Sequence, residues 1–138
     1  MEELKKQLVL YIEPDPMLRR KAERVGEVTP GILAALDGMA EIIGRFDGIG
    51  LAGPQVGVLK RIILIDAGTI AAEDGRPMPA ERYMRLIDPE IIGYSKETCE
   101  REEGCLSLPT IFANVTRPEG IDFEYTDAKG KRIRAKAD

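Results

Sequence analysis

The chain has 138 residues, of which 43% are hydrophobic and 32% are charged, and this composition is typical of a folded domain rather than a disordered segment. The formal net charge of −4 gives no general attraction to nucleic acid or anionic lipid, so we expect neither as a partner. No apolar run approaches the ~20 residues of a membrane-spanning helix. Two cysteines are too few for a disulfide framework, which favours a reducing compartment such as the cytosol.

The first half of the chain contains one well-marked helix. Pro14 and Pro16 interrupt a short apolar run near the start, and proline is unsuited to a central strand. Thr29 and Pro30 then have the residue types of a helix cap and first turn. Apolar residues recur at helical spacing after them and predict one buried stripe: Ile32, Leu33, Leu36, Met39, Ile42, Ile43 and Phe46. Asp47 and Gly48 predict the helix end, because glycine is free to take a left-handed conformation.

Strands dominate the prediction for the second half. Residues 62–65 form a β-prone run that predicts a buried strand, and the Gly-, Pro- and Ala-rich residues 67–81 predict a surface loop. One strand should end at Asp88-Pro89, and a second should occupy residues 91–98. Residues 121–137 alternate as a hairpin whose basic residues, 129–136, predict a solvated edge strand, with a phosphate-binding patch as the alternative. One helix followed by several strands indicates the α+β class.

The segment DGIGLAGPQVG, residues 47–57, is the first candidate for function. Four glycines in eleven residues permit either a flexible turn or a close approach of the backbone to a ligand. The carboxamide of Gln55 could donate a hydrogen bond to a carbonyl oxygen that gains charge during a reaction. The spacing does not fit a phosphate-binding loop, because no Gly-Lys-Ser/Thr sequence ends it.

The segment EEGCLSLP, residues 102–109, contains the second candidate. Cys105 is either a small buried hydrophobic residue or a thiolate that binds a metal. Gly104 permits close backbone approach, and the amide of Leu106 could face developing negative charge. A redox or nucleophilic role is the least favoured, because the sequence contains no histidine that could activate the thiol. Cys99 is expected to be structural.

Taken together, GIGLAGPQVG and EGCLSLP resemble the first two signature motifs of peptide deformylases. The resemblance extends in the family's order from Leu8 to Asp138. It implies a peptide-deformylase-like fold, with antiparallel sheets around a helix, in a single domain spanning residues 1–138. It also implies metal-dependent hydrolysis of the N-formyl group of N-formylmethionyl nascent peptides, some of them ribosome-associated, in the bacterial cytoplasm or an organellar matrix.

The resemblance assigns roles in the reaction to three positions. Cys105 matches the cysteine that binds the catalytic metal, which is Fe²⁺ in the family, with Ni²⁺, Co²⁺ or Zn²⁺ as substitutes. Gln55 and the backbone N–H of Leu106 match the two groups that hold the formyl oxygen as it gains negative charge.

Other positions match residues that bind the peptide or support the site. Ile49, Gly50 and Gly104 correspond to backbone positions that pair with the peptide as an added strand. Glu103 and Arg117 correspond to a structural ion pair. Two departures from the family, Arg101 near the methionine pocket and Phe112 at a position that is often basic, affect the expected substrate preference.

The family's third motif, His-Glu-x-x-His on a C-terminal helix, has no counterpart in these 138 residues. Two metal ligands and the general base are therefore missing, and we expect an incomplete domain that neither retains the metal nor deformylates at a meaningful rate. The sheet face that this helix would cover should be covered by self-association or by a second segment. The alternative is a non-catalytic module of the same fold that binds formyl peptides.

Overall fold

The computed structural model describes residues 8–46, 48–75, 77 and 81–137, which form two antiparallel sheets and two α-helices. The elements are α1 (Pro30–Phe46), β1 (Gly50–Ala52), β2 (Ile62–Asp66), α2 (Ala67–Asp74), β3 (Tyr83–Tyr94), β4 (Thr98–Cys105), β5 (Leu108–Pro118), β6 (Ile121–Thr126) and β7 (Arg132–Ala137). Five strands form one sheet in the order β1-β2-β3-β6-β7, and β4 pairs with β5 in a second sheet. The α+β prediction is confirmed.

Helix α1 covers one face of the larger sheet through the stripe that its sequence predicts. Thr29 caps the helix, because its Oγ1 accepts a hydrogen bond from the Ile32 N–H at 3.3 Å. The buried side chains of α1 pack with apolar residues of β1, β2 and β3 in one core, which contains Leu36, Met39, Ile42, Ile43, Leu51, Val56, Ile62, Leu64 and Ile87. Phe46 was predicted to face this core, but its side chain is 49% exposed at the end of the helix.

Residues 67–74 form helix α2, so the prediction of a surface loop over residues 67–81 is wrong in its first part. Asp66 caps this helix by accepting hydrogen bonds from the N–H and the hydroxyl of Thr69 at 3.1 and 2.8 Å. Arg82 approaches the same carboxylate from the far end of the connection, with Nε 3.1 Å from Oδ1 and a terminal nitrogen 3.0 Å from Oδ2. Part of the connection, residues 76 and 78–80, lies outside the described residues.

Asp66 makes the stability of this region dependent on pH. Its side chain is 2% exposed, and the Arg82 hydrogen bond lowers its pKa from 3.8 to about 2 against the opposing effect of burial. Because the folded pKa lies below the unfolded one, the stabilisation is present above pH 3.8 and is lost as the pH falls through about 2.

We expect Asp66→Asn to lower the free energy of unfolding by about 1–2 kcal/mol at neutral pH, because the charge-assisted hydrogen bonds with Arg82 are weakened. The difference from the unmodified chain should shrink as the pH falls below 3.8, which urea unfolding at a series of pH values would measure. Asp37→Asn, at an exposed carboxylate on α1, is the matched control and should have a smaller effect. A difference for Asp66→Asn that stays constant down to the lowest pH would contradict this account.

Strand β3 runs without interruption from Tyr83 to Tyr94, so the predicted break at Asp88-Pro89 is wrong. Its pairing with β6 shifts register between Ile87 and Glu90, and this irregularity accommodates the proline. Asp88 has a positive φ of 48°. Its carboxylate accepts hydrogen bonds from the backbone N–H groups of Val25 and Gly26 at 2.7 and 2.9 Å. Asp88 therefore fastens the segment before α1 to the sheet.

The predicted C-terminal hairpin is confirmed as β6 and β7, in which Ile121 lies opposite Ala137 and Phe123 lies opposite Ala135. Basic side chains of β7 lie close to acidic groups of β6 and β3. Lys136 is 3.9 Å from Asp122, and Arg132 is 3.9 Å from Glu90. These contacts favour the solvated edge strand over the phosphate-binding patch. None of the helices in the described residues is both long and apolar enough to cross a membrane.

Candidate active site

The hairpin of β4 and β5 presents Cys105 at its tip. The two strands are joined by the two-residue turn Leu106-Ser107, and Cys105 pairs with Leu108 across it. The thiol of Cys105 is exposed, so it is not the small buried hydrophobic residue that was one of the two alternatives. Cys99, in the same strand, is half-buried.

Gln55 lies within hydrogen-bond reach of this thiol although the two residues are 50 positions apart in sequence. Gln55 belongs to a short 3-10 helix, Gly53–Val56, that directly follows β1. Its Oε1 accepts the Ala52 N–H at 3.0 Å, so its Nε2 faces the opposite way. That nitrogen donates to Cys105 Sγ at 3.4 Å and to Ser107 Oγ at 3.1 Å. The carboxamide is thus held with its donor end directed at the sulfur.

Ser107 is a member of the site that the sequence analysis did not identify. Its side chain is 3% exposed and accepts the hydrogen bond from Gln55 described above. The signal available in the sequence was its place two residues after Cys105, but the contact with Gln55 spans 52 positions. We interpret Ser107 as the residue that orients the Gln55 carboxamide.

An N-terminal strap, residues 8–13, joins the two halves of the site. The Tyr11 N–H donates to the backbone oxygen of Gln55 at 2.7 Å, and the Glu13 N–H donates to that of Ser107 at 2.8 Å. The same strap thereby fixes the backbone of both hydrogen-bonded residues.

Gly48 permits the close packing of Leu106 behind the site. A Cβ atom at Gly48 would lie 2.6 Å from Leu106 Cδ1 and 3.1 Å from its Cγ, which is too close for a side chain at that position. Asp47, which was predicted to end the helix together with Gly48, lies outside the described residues. The glycine is needed for space, and the Leu106 side chain packs against the core as a result.

The backbone positions that were predicted to dock a peptide lie on one accessible surface. Ile49 is 42% exposed, and Gly50 and Gly104 are exposed as well. Gly50 begins β1, which is the edge strand of the larger sheet, and Gly104 lies one residue before Cys105. All three contribute to a groove of about 640 Å³ beside the thiol.

Glu103 and Arg117 form the ion pair that was predicted, across β4 and β5. Arg117 donates from two nitrogens to the two carboxylate oxygens at 2.6 and 2.8 Å. These hydrogen bonds hold the pKa of Glu103 below its ordinary value and raise the pKa of Arg117. Because both side chains are substantially exposed, the pair serves to hold the two strands in register rather than to supply a reactive group.

A second crevice of about 280 Å³ lies between the two sheets and is lined by Ile91, Cys99, Arg101, Glu103 and Arg117, among others. Ile91 is 48% exposed there. An apolar side chain open to solvent between two sheets is consistent with the uncovered face that the sequence analysis expects.

The residues present do not fit a complete catalytic metal centre. Such a centre needs three protein ligands and one open position. Within the described part of the chain, no group of three or more Cys, Asp, Glu or His side chains is placed to hold a metal ion. The full sequence also contains no histidine. Cys105 is therefore a single candidate ligand.

Comparison with known proteins identifies the family of this chain. The family model described as polypeptide deformylase matches residues 7–138. The peptide deformylase of a Picosynechococcus species is 40% identical over 130 residues, which are 94% of this chain and 66% of that protein. The peptide deformylase of Salinibacter ruber is 40% identical over 123 residues, which are 87% of this chain and 63% of that protein.

Comparison with solved structures shows that the fold is also that of peptide deformylases. The peptide deformylase of Thermotoga maritima superposes with a TM-score of 0.83 at 28% identity, covering 96% of this chain and 82% of that one. A probable peptide deformylase from Synechococcus phage S-SSM7 has a TM-score of 0.84 at 32% identity, covering 96% of this chain and 84% of that one.

The fold and the matches together define the class, that of α+β proteins with a peptide-deformylase-like fold. More narrowly, the chain belongs to the polypeptide deformylase family. It spans about two thirds of the length of the curated relatives it matches.

Proposed function

We propose that this chain is the peptide-docking and oxyanion-holding part of a peptide deformylase, an enzyme that hydrolyses the N-formyl group of N-formylmethionyl nascent peptides. The observation that carries the proposal is the orientation of Gln55, whose Nε2 is directed at Cys105 Sγ at 3.4 Å. A fixed amide donor beside a metal-binding thiolate suits a reaction in which a carbonyl oxygen gains negative charge. The bacterial relatives support a cytoplasmic location, with an organellar matrix as the alternative.

The residues of this chain would act before and during the attack on the formyl carbon. The peptide would lie along β1 and Gly104 as an added strand, which brings its formyl group to Cys105. The Gln55 carboxamide and the Leu106 N–H would then stabilise the oxyanion, with Ser107 keeping the carboxamide in place. The Gln55 carboxamide would exchange its hydrogen bond to Cys105 Sγ for one to the substrate oxygen, while its bond to Ser107 keeps it oriented as charge develops.

The metal of the reaction, Fe²⁺ with Ni²⁺, Co²⁺ or Zn²⁺ as substitutes, would not be retained by these 138 residues alone. Cys105 offers one ligand, and the two histidines and the general base of the family's third motif would come from a further segment or chain. We propose that such a segment, or a second copy of this chain, covers the crevice lined by Ile91 and Arg101. Deformylation by the 138 residues alone would therefore be negligible.

The second candidate is non-catalytic binding of formyl peptides. It is favoured by the presence of every predicted docking position on one accessible surface, next to a single candidate metal ligand. Under this proposal the chain binds the same peptides but releases no formate in any assembly.

Metal content and formate release would decide between the two candidates. The 138-residue polypeptide should hold substoichiometric metal and release no formate from formyl-Met-Ala-Ser. An extended polypeptide, in which the third-motif segment of a family relative follows Asp138, should bind one metal ion and release formate. The matched control is the extended polypeptide with Cys105→Ser, which should lose activity. An extended polypeptide that binds metal and formyl peptide without releasing formate would favour non-catalytic binding.

A further inference from the structure

The groove beside Cys105 is apolar along its length. It extends away from the thiol. The N-terminal strap and the end of α1 form one side, and the start of β5 forms the other. The side chains that form its two walls are Leu10, Ile12, Phe46, Leu108, Ile111 and Phe112. No charged side chain lines it among the described residues, although charged residues make up 32% of the chain.

Two aromatic side chains face solvent in these walls. Phe46 is 49% exposed and Phe112 is 65% exposed. Large apolar side chains gathered on one open surface are typical of a binding site. Aromatic residues in such a surface contribute a large contact area to the ligand.

Phe112 is placed directly on the path predicted for the peptide. It lies opposite Gly104 in the register of β4 and β5. A Cβ atom at Gly104 would lie 2.6 Å from Phe112 Cε1 and 2.8 Å from Cδ1, so the ring covers the α-carbon of Gly104. A peptide that pairs with the backbone there must pass the edge of this ring.

We propose that the groove selects formyl peptides that carry large apolar side chains directly after the formylated residue, and that Phe112 and Phe46 are its specificity-determining residues. The inference rests on the proposed function, because that function brings the peptide to Gly104. A charged residue of the peptide would lose its hydration in this groove without meeting an opposite charge among the described side chains, which disfavours binding. An apolar side chain would remove surface from water on both sides.

Binding to the 138-residue polypeptide tests the proposal without requiring catalysis. Titration with formyl-Met-Leu-Phe and with formyl-Met-Gln-Gln, followed by NMR chemical shifts, should give a Kd about tenfold lower for the apolar peptide. Phe112→Ala and Phe46→Ala should each reduce this ratio towards unity, because each variant weakens binding of the apolar peptide more than binding of the polar one. Tyr94→Ala is the matched control, since Tyr94 is also 65% exposed but lies on β3 outside the groove.

A charged substitution tests the role of Phe112 in peptide selectivity more directly. Phe112→Lys should weaken binding of the apolar peptide and strengthen binding of formyl-Met-Glu-Glu. Equal affinities for the apolar and polar peptides in the unmodified chain would overturn the inference and leave the proposed peptide docking intact. A preference that survives both alanine variants would overturn the assignment to Phe46 and Phe112. Failure of all formyl peptides to bind would overturn the docking itself, and the inference with it.

Discussion

Replacing Gln55 with leucine should lower kcat/KM for formyl-peptide hydrolysis by about 10²–10³-fold in the extended polypeptide, which is the loss expected when one oxyanion donor is removed. The reason is the direction of the carboxamide. Its Oε1 is engaged by the Ala52 N–H, so its Nε2 is the end that faces the substrate, and the N–H that now donates to Cys105 Sγ is the one that would donate to the substrate oxygen. The loss should appear in kcat more than in KM, because the hydrogen bond strengthens as the oxygen gains charge.

Gln55→Glu separates the catalytic effect from a structural one. A glutamate keeps an oxygen that can accept the Ala52 N–H but offers no amide donor, and its charge would repel the oxyanion. Its activity should therefore fall at least as far as that of Gln55→Leu, while its unfolding midpoint stays closer to that of the unmodified protein. Formate assays and thermal unfolding on both variants check this. Activity within about fivefold of normal in either variant would refute the assigned role of Gln55.

The second large effect, this time on the stability of the fold, is expected from substitution of Asp88. We predict that Asp88→Ala lowers the free energy of unfolding by about 3 kcal/mol, because the backbone N–H groups of Val25 and Gly26 would each lose a hydrogen-bond acceptor. The positive φ of 48° at this position adds to the cost, since alanine adopts that conformation poorly. Urea unfolding of the 138-residue polypeptide measures the change.

Asp88→Asn is the informative control for this position. Asparagine tolerates a left-handed backbone and keeps one side-chain oxygen for the N–H groups. It should therefore cost about 1 kcal/mol, well below the alanine variant. Equal losses for the two variants would show that the charge of Asp88, rather than its hydrogen bonds and backbone conformation, determines the stability of this connection.

The sequence predicts the elements whose signals are local. Helix α1 has a cap at Thr29 and an apolar stripe, and the hairpin of β6 and β7 has alternation on both arms, so each is visible within its own residues. Helix α2 was missed because its main anchor, Arg82, lies 16 positions from Asp66. The Asp66 and Thr69 pair was a local signal for its cap, but the many small residues that follow indicated a loop instead.

The same distinction between local and distant contacts applies to β3 and to the site. Pro89 indicates a strand end by itself, and only the pairing with β6 shows how an irregular register accommodates it. Gln55 and Cys105 were found because each lies in a recognisable motif. The role of Ser107 depends on a side-chain contact between two motifs, and no pattern within either one specifies it.

The strap of residues 8–13 also affects when the site can form. Tyr11 binds the backbone of Gln55, whereas Glu13 binds that of Ser107, so the strap makes its second contact only after residues far along the chain have been synthesised. Contacts between such distant parts of a chain slow folding, because a long loop must close before they contribute. The oxyanion-holding arrangement should accordingly mature late, and backbone amide exchange at Tyr11 and Glu13 would report its completion residue by residue.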